Sequence, residues 1–201
     1  MKSSLRVVVA LVAASISMSL LGPVVGSAAG VPSSTASLRA QAVTIHQMPA
    51  GWVAEAPRGD PRLGCLAALL APKGVKETHQ QQVFFAAAKG YPIFDETITT
   101  YSKVKVAYKK VAAAIASCRT FKGVLKGYPV VGTLRPLVVP HYGTARVAYL
   151  VTVSGKSITV KSDYLIVRKG NDILGILEGS YPAVSFAQFQ HFAALAVARA
   201  K

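Results

Sequence analysis

The sequence predicts an α+β domain: an antiparallel β-sheet flanked by helices. Three observations carry this reading. Apolar residues recur at helical spacing from Val104 to Cys118 and again from Phe189 to Ala196. Between these stretches, segments from about Thr144 to Val153, Ile158 to Arg168 and Asp172 to Glu178 alternate or run apolar as strands do. The hairpin-type turns SGKS and KGND separate them.

Taken in order, the chain opens with Lys2 and Arg6, an apolar run from Val7 to Leu21, then Pro23 and the small-residue stretch GSAAG at 26–30. Residues 1–29 therefore read as a secretory signal peptide, cut after Ala28 or Ala29. An uncleaved membrane anchor is the competing reading, because the apolar run approaches a span in length. No cysteine lies near the cleavage point, so a lipid anchor is not indicated. Without 1–29, 172 residues remain, which suits one domain, and no further segment approaches a membrane span. Residues 30–41, rich in Ser, Ala and Pro, read as a flexible linker, and the domain as 42–201.

Within the domain, VTIHQMPAGW is a short extended segment ending in the only tryptophan, Trp52. Pro61, with Asp60 as cap, opens a short helix whose stripe is Leu63, Leu66, Ala67 and Leu70. Lys76–Ala88 and Ile93–Tyr101 form a hairpin around Gly90 and Pro92, with Thr97, Thr99 and Tyr101 on one face of the second strand and Phe94, Glu96 and Ile98 on the other. A basic helix follows from about Lys103 to Cys118, capped by Ser102, burying Val104, Tyr108, Val111, Ile115 and Cys118. VVGTLRPLVVP offers an irregular strand, with Pro136 best placed at an edge or bulge. The three-strand meander comes next. In its middle strand Ile158, Val160, Tyr164 and Ile166 share a face with Ser162, opposite Thr159, Lys161 and Asp163, so the sheet is covered on one side at least over its first half. Ser185 and Gln188 form a capping box for a last helix, Phe186 to about Ala198.

The two cysteines, Cys65 and Cys118, are expected to pair in an oxidising compartment, the alternatives being free buried thiols or an intermolecular bridge. Closing that loop of 53 positions stabilises the fold by about 4 kcal/mol in the chain-entropy model. The formal charge of +15 becomes +13 once Lys2 and Arg6 leave with the leader. Between Glu96 and Asp163 there is no carboxylate, while eleven Lys or Arg residues occur. Such a field attracts polyanions, and it also describes a solvated face that keeps a protein soluble. Lys105, Lys109 and Lys110 on the basic helix are the candidate anion contacts; Trp52 and Tyr101 are the candidate cleft aromatics.

No catalytic constellation stands out. Gly155, Lys156 and Ser157 end like a phosphate loop, but Leu150 stands where its first glycine belongs, and a hairpin turn explains the tripeptide. The four histidines share no i, i+3 or i+4 spacing, so neither a metal nor a cofactor is expected. Asp95 and Glu96 point to opposite faces of a strand. Asp163 or Glu178 could approach one of them across the sheet, though surface ion pairs with lysines are the expected state. A carboxylate-based hydrolase is thus an alternative rather than the reading. Aromatic and basic residues are not interleaved as in a nucleic-acid surface. An unidentified extracellular ligand, or an anionic envelope polymer or lipid head group, is the expected partner.

MPAGW at 48–52, Cys65 in the first helix, the strand leading to AIASC at 114–118, and YLIVRKGNDIL at 164–174 together resemble the PknH-like extracellular sensor domains of mycobacterial serine/threonine kinases and their secreted actinobacterial relatives. The likeness spans about 43–201. It implies a sensor-like α/β sandwich with a ligand cleft and no enzymatic activity. This chain lacks the kinase domain and the second cysteine pair of those sensors, and no ligand-contacting motif carries over.

Overall fold

The computed structural model describes residues 34–56, 64–69, 72, 74–125, 128–156 and 159–201, apart from the side chains of 67–69 and 125. The expected leader, 1–29, lies outside them. In chain order the elements are α1 (Thr35–Gln41), β1 (Trp52–Glu55), a 3₁₀ turn (Gly64–Leu69), β2 (Glu77–Ala87), β3 (Ile93–Tyr101), α2 (Val104–Ser117), β4 (Thr120–Leu125), β5 (Tyr128–Pro136), β6 (Ala145–Ser154), β7 (Thr159–Lys169), β8 (Asp172–Ser180) and α3 (Phe186–Arg199). A further 3₁₀ turn, Ile45–Gln47, links α1 to β1.

The eight described strands form one antiparallel sheet in the order β1-β2-β3-β8-β7-β6-β5-β4. Two meanders, β1–β3 and β4–β8, join where β8 pairs along β3, and α2 carries the chain from that centre to the far edge. The period-two alternation of each strand divides the core in two. Tyr108, Val111 and Ile115 of α2 pack with Tyr149, Val151, Tyr164, Ile166 and Leu177 on one face. On the other, Leu38 of α1 and Phe189, Phe192 and Ala196 of α3 pack with Phe94, Ile98, Leu165 and Ile176. Phe192 anchors this layer by edge-to-face contacts to Phe94 and Trp52, at ring separations of 5.3 and 5.5 Å. Every buried side chain of the two cores lies between Leu38 and Ala200.

Several expectations change. Residues 35–41 are helix rather than linker. Ser34 caps α1 by accepting from the Ser37 N–H, and Leu38 is fully buried. The rest of its support comes from the other end of the chain: Arg199 donates to the carbonyls of Ala42 and Ala40 at 2.9 and 2.8 Å, and the Lys201 N–H donates to Gln41 Oε1. The first predicted helix is a 3₁₀ turn at 64–69, and its expected start at Asp60–Leu63 lies outside the described residues. Ser102 does not cap α2. Lys103 stands at that position without a side-chain bond, and Ser102 Oγ donates to the Lys76 carbonyl instead.

The expected irregular strand is β5, an inner strand. Pro136 is tolerated because it ends the strand, opposite Tyr149. The true edge is β4, for which the sequence reading has no strand. Phe121 of β4 lies over Gly132 of β5, filling the space a side chain would need there. The Cys65–Cys118 bridge forms, with a Cα–Cα distance of 5.8 Å, and sets the 3₁₀ turn on β4. Gly64 makes that approach possible: its φ is +53°, and a Cβ would stand 2.9 Å from the Lys122 carbonyl oxygen.

Candidate binding groove and buried carboxylates

The sheet is incomplete along its β1 side. β1 pairs only with Phe84–Ala87, so among the described residues the earlier part of β2 has no strand on its outer side. Arg39, Val43, Thr44 and Ile45 from the α1 side, Ala54 and Glu55 from β1, and residues 81–85 of β2 line a groove of about 410 Å³ there. Two adjacent acids of β3 hold its parts in place. Glu96, on the α1/α3 face and opposite Val83, accepts from the Val43 N–H at 2.7 Å. Asp95, on the α2 face, accepts from Gln82 Nε2 with both oxygens at 3.0 Å. Burial pushes both carboxyls up to about 7. The Gln82 hydrogen bond opposes this at Asp95, and the Val43 N–H and Arg199 oppose it at Glu96. The sequence shows the opposite facing of this pair. It does not show the partners, because Val43 is distant in the chain.

A second acidic pair sits under α3. Asp163 of β7 and Glu178 of β8 are directly opposed, and Glu178 in turn opposes Phe94. Directly opposed residues on one face have Cβ atoms about 5 Å apart. Burial pushes Glu178 up to about 8, with repulsion from Asp163 adding to it, and burial pushes Asp163 up to about 6. Neither oxygen of Glu178 has a hydrogen-bond partner. The expected surface ion pairs are therefore absent at these residues, because the strands place them inward. A close carboxylate pair with raised pKa values is what a hydrolase would need. Yet Glu178 is 0% and Asp163 4% exposed, and neither lines the groove.

A smaller cleft of about 30 Å³ lies between α2 and the sheet, among Gln80, Thr97, Thr99, Tyr101 and Tyr164. It has room for about one water. Tyr101 is buried here, its hydroxyl pushed up to about 12 by burial and then by Glu77. Trp52 packs on Phe192 in the opposite layer, so no single cleft holds both aromatics. Lys105, Lys109 and Lys110 are exposed on the outer side of α2. Among the described residues no group of three or more His, Cys, Asp or Glu stands together to hold a metal, and no helix is long and apolar enough to cross a membrane.

The architecture defines the class: among the described residues, an α+β fold in which three helices cover an eight-stranded antiparallel sheet stapled by the Cys65–Cys118 disulfide. It is similar to the crystal structure of the extracellular domain of PknH from Mycobacterium tuberculosis, with a TM-score of 0.59 and 10% sequence identity, covering 80% of this chain and 93% of that one. No family model matches the chain, and no curated protein matches it at the level of sequence.

Proposed function

We propose that this chain is an exported, non-enzymatic binding module of the cell envelope, sensor-like in construction, whose ligand occupies the groove beside β2. The groove carries the reading. It is the roomier of the two openings described, and it sets apolar and charged side chains beside β2 against the sheet. The likeness to an extracellular domain supports an extracytoplasmic setting, as does the leader expected from the sequence. Closure of Asp163 and Glu178 to solvent supports the non-enzymatic reading.

The test is capture of material from envelope extracts on immobilised chain 30–201, with bound compounds identified by mass spectrometry. Ala54→Arg, which fills the groove, should abolish capture. Capture undiminished in that variant would place the ligand elsewhere and defeat the groove.

A second reading, binding of anionic polymers by charge, rests on a specific observation. Asp95, Glu96, Asp163, Asp172 and Glu178, five of the eight acids, are buried, so the accessible surface is more cationic than the formal charge states. Such binding should collapse as salt rises, whereas groove binding dominated by direct contacts should persist.

A further inference from the structure

The α1/α3 face of the sheet is covered only in part. α3 packs on β7 and β8, α1 on β2, and Val139 and Tyr142 of the loop before β6 cover Ala148 of that strand, which leaves the same face of β4 and β5 without a described element over it. The register shows what this half-face carries. Lys122 pairs with Val131, Val124 with Pro129, and Arg135 with Leu150, and the row through Thr133 and Thr152 ends at Lys161. Val124 and Val131 are 55% and 52% exposed, and Tyr128, at the same end of the β4–β5 hairpin on its other side, is 65% exposed. The acids in these rows, Asp163 and Glu178, are buried.

We infer that the β4–β5 hairpin and the bare face beside it dock onto an anionic lipid surface. Charge complementarity selects the sign of the partner: Lys122, Arg135 and Lys161 point from a half-face whose strand rows hold no accessible acid among the described residues. The apolar residues select a lipid over a soluble polymer. Two valines and a tyrosine exposed at one hairpin end gain nothing from a hydrated polyanion, but they gain from entering the boundary between head groups and acyl chains. Tyrosine suits that boundary, with an apolar ring and a polar tip. The surface is separate from the groove, which lies at the opposite edge of the sheet, so a docked molecule would keep the groove open to its ligand.

The experiment is co-sedimentation of chain 30–201, which contains both cores, with vesicles of phosphatidylcholine alone or mixed with phosphatidylglycerol. The wild type should bind only the phosphatidylglycerol vesicles. Val124→Thr with Val131→Thr, a near-isosteric change on a strand, should weaken that binding by roughly tenfold or more while leaving the melting temperature in place. Tyr128→Ser should act in the same direction, and Lys122→Glu with Arg135→Glu should abolish binding. Lys105→Glu with Lys109→Glu on α2 should leave it within about twofold. Full binding by the threonine and serine variants, loss carried by the α2 lysines, or equal competition by soluble polyphosphate would overturn the inference, the last two in favour of a polyanion surface.

Discussion

Glu178 is one of several carboxyls that burial raises, and neither of its oxygens has a hydrogen-bond partner. Its carboxyl is ordinary in the unfolded chain, near 4.5, and raised to about 8 when folded, so the folded state binds the extra proton between those values. The stability tied to that proton is complete below about 4.5 and is lost progressively as pH rises toward 8, in the same direction as for Asp95 and Glu96. The protein should therefore melt at a higher temperature at pH 5 than at pH 8. Glu178→Gln should raise the pH 8 melting temperature and flatten the profile, with each 1 kcal/mol worth about 2–4 °C in a chain of this size. A profile as steep in the variant as in the wild type would assign the pH dependence to the other acids. At Gly132, Ala should cost roughly 1–3 kcal/mol in denaturant unfolding, because the Phe121 ring occupies the space above it.

Among the elements, α1 is the most informative. Leu38→Ala should cost about 2–5 kcal/mol if the helix is part of the core, and nearly nothing if residues 30–41 were a tether. Chemical denaturation distinguishes the two. The sequence hides α1 because one buried leucine gives no periodicity and its hydrogen bonds come from Arg199 and Lys201, at the far end of the chain. β4 is hidden for a related reason. Its stretch TFKGVL is short and interrupted by Gly123, and it becomes a strand through Phe121 settling over Gly132. In contrast β3, α2, β6, β7, β8 and α3 are legible almost to their ends, because each repeats an apolar period long enough to specify which side faces inward. The pairing of Asp163 with Glu178 is half legible. Their facing follows from alternation, but their opposition depends on register.

On the scale of the whole molecule, the sheet has a groove at one margin and a bare, basic, partly apolar half-face toward the other. The composition makes the charge legible, but only the fold reveals that most acids are interior and that the lysines and arginines are left to define the exterior. A salt series separates the two proposed modes of binding: capture by the groove should outlast high ionic strength, and attachment through the basic surface should not. The bridge between Cys65 and Cys118 has a further meaning here. It holds the Gly64–Leu69 turn against β4, the terminal strand, whose outer backbone groups would otherwise invite another chain to pair. Reduction should lower the melting temperature and let the protein self-associate in a concentration-dependent way, visible by light scattering; a reduced chain that stays monomeric would show the margin protected by other means. The thiol state then governs the cover: a reduced chain carries an adhesive seam, and oxidation seals it.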